Sequence, residues 1–483
     1  MGSYSVPENI RKMKPKGTMI KVVNNHYYVY TNSQIKDSVT GKWKTAPGKL
    51  VGKVVPEIGF CPNDKPDTCT GITCFDYGEY LLACTLSKVD FIGLKEFFNP
   101  DEAMQLFSLA VMFALEGYIG LKASENQYEK CLIARDYPAL KYSYYRISKL
   151  LEYCGRQEKM LEFQKKCISE ADKIAIDGHV IASDSENNDL SSVGYKVREV
   201  KGEQMNLLVA IDTESQLPVA TKVFPGFMVD KKDFLEFVRP LENIKGKLFI
   251  MDKGFYSAEN IKYLLANKAS YIMPVASNAE SYKEAVKPKQ GRISQFIYSA
   301  SHKTDLVEYR EAECTGKRTI FFRNISEKEK LTKAYLEKLE DGAKGFTKEG
   351  LKKLEKDAGV IVLETSLNQN AKEVYSLYKS RWTIETYYDR LKNGLNFEEL
   401  NLSEYGIIQG VAFVMMLAGR IDRRILDAAK TVKKTRKDLV RTMSSLKLMD
   451  NGKTATVCNS KEEHLAIAKQ LGVSFDTSKK CLS

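Results

Sequence analysis

A chain of 483 residues with 43% hydrophobic content is long enough for about two to four domains and apolar enough to pack their cores. Lys plus Arg exceed Asp plus Glu by 74 to 62, a formal net charge of +12; this favours a polyanionic partner, nucleic acid or anionic membrane, and argues against an acidic surface role. The longest apolar runs, Leu106 to Leu115 and Val411 to Ala418, fall short of the ~20 residues a bilayer span requires, and the opening MGSYSVPENIRKMKPKG has no apolar signal core, so neither membrane spanning nor secretion is expected.

Ten cysteines lie at uneven intervals without a C-x-x-C pair and read as cytosolic thiols rather than as a disulfide framework. Cys61, Cys69, Cys74 and Cys84 cluster, but separations of 8, 5 and 10 match no usual zinc-ligand spacing.

Residues 1–60 read as a basic β-rich module. MIKVVNNHYYVY places β-branched and aromatic residues on both sides of an Asn24-Asn25 turn, and SVTGKWKT adds a second turn. Lys12, Lys14, Lys16, Lys21, Lys42, Lys44, Lys49 and Lys53 outnumber nearby acids, the pattern of a DNA-contacting surface or of a merely solvated basic segment. Residues 61–170 read as helical and as a DNA-binding region. Asn99-Pro100-Asp101-Glu102 supplies a cap, a first-turn proline and first-turn acids for a helix whose Met104, Phe107, Val111 and Leu115 form a core stripe ending near Gly117. After Pro138, SYYRISKLLEYCG and RQEKMLEFQKKCISE read as two short helices broken at Gly155, either a helix-turn-helix or an ordinary packing pair.

At Lys173 the texture changes to strand, opening the first part of a mixed α/β core over 171–276. KIAIDGHVIAS, EQMNLLVAID and, after a turn at TESQ, LPVATKVF predict an antiparallel meander. The helical DKKDFLEFVRPLENI follows, then the apolar KLFIMDKG, the helical AENIKYLLANK and the strand SYIMPVA. Asp177 lies inside an apolar strand beside Gly178, where a carboxylate needs a reason. Asp252 ends a buried, parallel-type strand, the place where open α/β sheets bind ligands. Asp212 in VAIDTES reads as a turn residue, and Asp184 and Asp189 sit in a polar loop that explains them.

Residues 277–357 are lysine-rich and read as an insertion: a hairpin VEYREAECTGKRTIFFRN turning at Thr315-Gly316, then the charged helices SEKEKLTKAYLEKLE and KEGLKKLEKD. Over 358–430 the strand GVIVLET returns the chain to the core and leads into YKSRWTIETYYDRLK, predicted as one helix because no Gly or Pro interrupts it. Tyr378, Arg381, Glu385 and Lys392, at offsets of 3, 7 and 14, then share an arc of roughly 60°. Arg381 and Glu385 are spaced as an ordinary surface ion pair, yet the set also has a chemistry. Glu is a hard oxygen ligand for Mg²⁺, Arg forks around phosphate, Lys adds a point charge, and Tyr stacks or donates. Two strand aspartates and one helix glutamate are the minimum set for a pair of Mg²⁺ ions. The chain after Gly419 holds Arg420, Arg423, Arg424, Lys430, Lys433, Lys434, Arg436, Lys437 and Arg441, a basic helical run with little acid that suits nucleic acid, and 431–483 reads as a basic C-terminal tail.

MDKGFYS around Asp252, together with Y-x2-R-x3-E-x6-K at Tyr378, Arg381, Glu385 and Lys392, resembles the DDE transposases of bacterial insertion sequences, in the group with the Tyr-Arg-Glu-Lys signature. The resemblance covers most of Lys173 to Leu426 and includes Asp177-Gly178. It implies an α/β fold: an RNase H-like catalytic core with a strand-rich insertion, preceded by a small β module and a helical region. It implies that Asp177, Asp252 and Glu385 are catalytic and ligate two Mg²⁺ ions, with Mn²⁺ able to substitute. Tyr378, Arg381 and Lys392 would hold phosphates of the transposon end, and the N-terminal module would recognise terminal inverted repeats. A homodimer would hold double-stranded DNA ends and target in a synaptic complex in the bacterial cytoplasm, at the nucleoid; it would nick, release the element and join its 3′ ends to target, relatives passing through a hairpinned end. Trp382 and Tyr256 are aromatic candidates for stacking a displaced base, and each is equally readable as core. Two alternatives share the core: a metal-dependent nuclease that cuts without joining, and a domesticated, non-transposing DNA-binding protein.

Overall fold

The computed structural model describes residues 6–23, 26–36, 43–56, 58–62, 72–185, 187–188, 190–193, 202–227, 230–287, 293–300, 303–314 and 317–482. The chain divides into two compact units, Met1–Cys74 with Met449–Thr456, and Phe75–Leu448 with Val457–Ser483.

The smaller unit carries α1 (Glu8–Lys12) and strands β1 (Thr18–Val23), β2 (His26–Lys36), β3 (Trp43–Val55) and β4 (Gly59–Pro62). These form a four-stranded antiparallel sheet in the order β1-β2-β3-β4, as the β-branched and aromatic content predicts. Ile10 of α1 joins Val29 and Val54 in a small buried cluster. The register of β1 with β2 ends at Val23 opposite His26; the predicted Asn24-Asn25 turn, like Cys69 and the turn in SVTGKWKT, lies outside the described residues.

β5 (Thr73–Asp76), whose first two residues belong to the smaller unit, leads into the helices of the larger one, α2 (Gly78–Leu86), α3 (Lys88–Leu94), α4 (Pro100–Glu116), α5 (Leu121–Lys130), α6 (Leu132–Asp136), α7 (Tyr144–Arg156) and α8 (Glu158–Ser169). The start of α4 follows its sequence signal: Asn99 Oδ1 accepts the Glu102 N–H at 2.9 Å while the Glu102 carboxylate accepts the Asn99 N–H at 3.1 Å, a reciprocal capping box.

The largest sheet among the described residues follows. Its strands are β6 (Lys173–Ala182), β7 (Ser192–Val193), β8 (Glu203–Asp212), β9 (Pro218–Pro225), β10 (Leu248–Met251), β11 (Ser270–Pro274), β12 (Ser294–Ala300), β13 (Lys303–Cys314), β14 (Lys317–Asn324) and β15 (Val360–Thr365). Helices α9 (Asp230–Val238), α10 (Ala258–Ala266), α11 (Glu280–Val286), α12 (Ile325–Glu340) and α13 (Lys348–Asp357) fall between them. The meander appears as read: β6 and β9 both pair antiparallel with β8, and Asp212 closes the turn by accepting the Glu214 and Ser215 N–H groups. On its other side β6 pairs parallel with β10, and β10 parallel with β11. Beyond β11 come β15, β14, β13 and β12, all antiparallel. The insertion strands therefore prolong the core sheet rather than building one of their own. The predicted turn at Thr315-Gly316 lies outside the described residues, although Cys314 opposite Lys317 is the pairing it requires.

Helices α14 (Ala371–Lys379), α15 (Trp382–Asn393), α16 (Tyr405–Thr431), α17 (Arg436–Ser444) and α18 (Glu462–Leu471) complete the unit; β16 (Lys447–Asp450) and β17 (Ala455–Cys458), between the last two, fall partly in the smaller unit. At 27 residues α16 extends well past the apolar run Val411–Ala418. By length and composition it could cross a membrane, but 89% of its apolar window is buried inside the protein, packed on α4, α7 and β9. It also closes the open edge of β9. The Gln409 amide accepts the Val223 N–H at 3.0 Å and donates to the Val223 carbonyl at 2.7 Å, while Gln164 of α8 accepts the Thr221 N–H at 2.6 Å, side chains standing in for a missing strand.

Two sequence readings change here. Gly155 does not break a helix; it lies inside α7, and the break falls at Gln157. A Cβ on Gly155 would stand 1.9 Å from the Gly406 carbonyl oxygen of α16, so the glycine permits backbone-to-backbone helix packing. The basic run after Gly419 is partly internal. Arg420 and Arg424 each bond the buried Asp90 at 2.7 Å, and Arg390 and Arg436 converge on Asp422 at 2.7 and 2.6 Å. The helix contact makes a prediction: Gly155→Ala, forcing α7 off α16, lowers stability by about 2 kcal/mol or more in urea denaturation. Gly93→Ala in α3, whose Cβ would meet only the Phe163 ring at 3.4 Å, is expected to be neutral or stabilising. Equal losses at both sites would mean that the helix contact is not the cause.

Candidate active site

The parallel register that sets Met251 opposite Ile176 places the next residues of the two strands, Asp252 and Asp177, side by side. Parallel neighbours lie about 4.8 Å apart, so two carboxylates from segments 75 residues apart in sequence share one end of one face. Asp252 leaves the end of β10 and begins a 3₁₀ turn over Lys253–Phe255. Asp177 sits within β6, where its Oδ1 accepts the Gly178 N–H at 2.9 Å.

The third acid arrives through a break in the expected helix. The run from Tyr378 to Lys392 is two helices, not one: α14 ends at Lys379 and α15 begins at Trp382. Ser380 Oγ bonds back to the Leu377 carbonyl at 2.6 Å, and the Arg381 and Ile384 N–H groups reach three residues back, at 3.1 and 3.0 Å, the tighter 3₁₀ pattern. The tightened turn lets the two halves serve different neighbours. Tyr378 packs into a core formed with Leu248, Ile250, Ile272, Phe322 and Leu363, whereas Glu385, in the first turn of α15, faces β6.

Arg381 stands at that junction. Its Nη1 donates to Asp177 Oδ2 at 3.2 Å and its Nη2 to Glu385 Oε1, and its side chain is only 15% exposed. Burial opposes the Arg381 charge, but Tyr378, Asp177, Glu385 and Asp252 around it outweigh that and hold its pKa above the ordinary arginine value. Burial likewise pushes the Tyr378 phenol up to about 12, with Arg381 opposing and Asp252 and Glu385 adding; the guanidinium lies 5.9 Å from its ring centre. One cation thus bridges two of the three predicted acids directly, and the third, Asp252, acts on its charge.

Tyr388 locks the assembly. One turn beyond Glu385, its hydroxyl donates to the Asp177 backbone carbonyl at 2.7 Å and its ring stacks on His179 at 4.8 Å, pinning α15 to the strand that carries Asp177. Sequence reasoning passed over both residues, though Tyr388 at three after Glu385 and His179 at two after Asp177 share faces with the residues it did single out.

The remaining candidates separate. Trp382 is 68% exposed on the rim of a cleft of about 460 Å³, where Tyr378, Arg381 and Glu385 face Glu327, Leu331, Leu354 and Asp357 from the insertion helices. Tyr256 turns inward: its hydroxyl donates to Glu364 at 2.6 Å and its ring packs with Val275, Ala285, Phe321 and Val362, so the core reading of this residue holds. Lys392, two turns past Glu385, lies 3.5 Å from Glu398 and is not among the groups gathered around Arg381.

The donor set suits a hard divalent cation, being all carboxylate oxygen on rigid elements. Among the described residues, however, no three His, Cys, Asp or Glu side chains close into a ready-made cage; Asp177 and Glu385 instead share the Arg381 guanidinium.

A family model described as "Transposase DDE domain" matches residues 168–418, the interval holding all three acids. No curated protein matches the chain. Among solved structures, the cryo-EM structure of the piggyBac transposase synaptic complex with hairpin DNA aligns at a TM-score of 0.40 and 12% identity, covering 76% of this chain and 78% of that one. With more than half its length matched, and the matched part carrying the carboxylate site, the chain belongs to the transposase DDE domain family.

Proposed function

We propose that this protein is the DNA transposase of a bacterial insertion sequence, cleaving at terminal inverted repeats and transferring the 3′ ends into target DNA. The observation that carries the reading is the meeting of Asp177, Asp252 and Glu385 around Arg381, three acids from separate segments at one end of a mixed sheet. Strand order supports an RNase H-like core: an antiparallel meander β9-β8-β6 continued by the parallel β10 and β11. On this reading Asp177, Asp252 and Glu385 hold two Mg²⁺ ions, with Mn²⁺ as a substitute. Such ions activate an attacking oxygen and stabilise a leaving one.

The residues around the acids divide the remaining work. Arg381 cannot fork around a DNA phosphate while it serves Asp177 and Glu385, so a phosphate of the transposon end takes the guanidinium and frees the carboxylates. End binding and metal loading are thereby coupled. Tyr378 sets the position of Arg381 from below, Lys392 adds a phosphate contact farther along α15, and Trp382 on the cleft rim stacks a displaced base. The basic N-terminal module reads the inverted repeats, and a homodimer brings two ends together with target, in the bacterial cytoplasm at the nucleoid. A nuclease that cuts without joining and a non-cutting DNA binder are the outcomes against which this is tested.

Two predictions follow the chemistry. In a cleavage and strand-transfer assay on the element's own ends, with Mg²⁺ or Mn²⁺ against EDTA, Glu385→Gln should bind ends almost normally and lose cleavage by at least about 100-fold. Undiminished cutting would remove Glu385 from the ligand set, and wild-type cleavage without joining would favour the nuclease. Arg381→Ala should lower the slope of log affinity against log salt by about 1 and, without DNA, bind Mn²⁺ more tightly than wild type. An unchanged slope would return Arg381 to the role of a structural ion pair.

A further inference from the structure

Away from the three acids lies a buried carboxylate that the proposed chemistry does not use. Glu364, on β15, is 1% exposed, and three donors meet on it. Tyr256 Oη donates to Oε2 at 2.6 Å; Tyr271 Oη and Lys317 Nζ donate to Oε1 at 2.8 and 3.0 Å. Sheet register explains the convergence. Glu364 is opposite Met273 on β11 and Thr319 on β14, so Tyr271 and Lys317, each two residues before those partners, lie diagonally on the same face. Tyr256 comes from elsewhere, four residues past Asp252, at the end of the 3₁₀ turn that Asp252 begins.

A carboxylate in the middle of a sheet is costly unless fully bonded and charge-compensated. Here it is both, since Lys317 supplies the charge and also lies 5.7 Å from the Tyr256 ring. Burial first, and then Glu364 itself, raise the pKa of both phenols, which keeps them donors. The arrangement ties three parts of the protein to one group: the turn following Asp252, the core strand β11 and the insertion strand β14.

We propose that Glu364 is a positioning residue for the reaction, fixing Asp252 through Tyr256 and anchoring that turn on the insertion through Lys317. The inference rests on the reading of Asp252 as a metal ligand. Its expected signature is a change in how the acids hold a cation, separate from any change in folding.

The test uses the full chain bound to pre-cleaved end duplex, so that no cutting accompanies the measurement. Mn²⁺ binding is titrated, with the Asp252→Ala complex as the baseline for ions held by DNA alone. Tyr256→Phe should weaken the Asp252-dependent Mn²⁺ binding by about tenfold and raise the metal concentration for half-maximal cleavage by the same factor, with end binding in EDTA unchanged. Tyr271→Phe removes the other phenol from the same carboxylate and should leave Mn²⁺ affinity within about twofold while lowering the melting temperature. Glu364→Gln should match Tyr256→Phe in metal affinity, and the double variant should be no worse; should Glu364→Gln fail to fold, the two tyrosine variants decide the matter. Unchanged affinity in Tyr256→Phe, or an equal shift in Tyr271→Phe, overturns the positioning role and leaves the metal site standing. Absence of any Asp252-dependent Mn²⁺ binding in wild type would instead overturn the metal reading itself, and this inference with it.

Discussion

The site depends on a single guanidinium. Two carboxylates about 5 Å apart repel by about 3 kcal/mol at an effective dielectric near 20, and a third acid adds to that. A fold that gathers Asp177, Asp252 and Glu385 therefore needs a cation among them. Arg381 meets the need because its planar fork bonds two carboxylates at once, to Asp177 and to Glu385, where a lysine would offer a point charge. Its mostly buried position strengthens those bonds. The same geometry makes Arg381 a competitor for any cation the acids were to hold, so the bonds that stabilise the cluster would oppose such a ligand.

Everything near Arg381 serves to present it. The parallel pairing of β6 with β10 sets the two aspartates level. The tightened turn at Ser380 separates Tyr378, which goes into the hydrophobic core, from Glu385, which turns to the strand. Tyr388 then fixes the height of α15 through the Asp177 carbonyl. Behind α15, Tyr387 presses on Gly419 of α16, where a Cβ would come 2.6 Å from the ring.

Much of this was legible from residue pattern. The meander, the strand ending in Asp252 and the capped α4 each carried a local signal strong enough to survive folding, and a carboxylate inside an apolar strand marked Asp177 by its cost. The misplaced features are those decided by tertiary contact. Nothing local distinguishes a glycine that breaks a helix from one that lets two helices touch, as Gly155 does against Gly406. Helical periodicity runs unbroken through Ser380 in the sequence, and only the separate demands of the core and of β6 split the helix there. The role of Tyr256 was invisible because its partner, Glu364, lies 108 residues away.

Charge shows the same limit most sharply. The net +12 invites every basic run to be read as a DNA surface, yet many arginines of the larger unit are turned inward. Arg420 and Arg424 hold Asp90, Arg390 and Arg436 hold Asp422, and in the insertion Arg310 and Arg318 bond backbone carbonyls of Ala285 and Leu367. Helices α12 and α13, by contrast, bury no residue and carry Lys328, Lys330, Lys333, Lys338, Lys352 and Lys353. The division follows side-chain chemistry. A guanidinium is weakly hydrated and bonds in fixed directions, which suits it to a buried acid or carbonyl, whereas an ammonium is more strongly hydrated and is turned inward here only where it is fully bonded, as Lys317 is on Glu364 and Lys247 on the Ser169 and Ala171 carbonyls. The lysines of α12 and α13 are interleaved with Glu327, Glu329, Glu337, Glu340, Glu349, Glu355 and Asp357, so the two helices present a solvated face of mixed sign rather than a basic one.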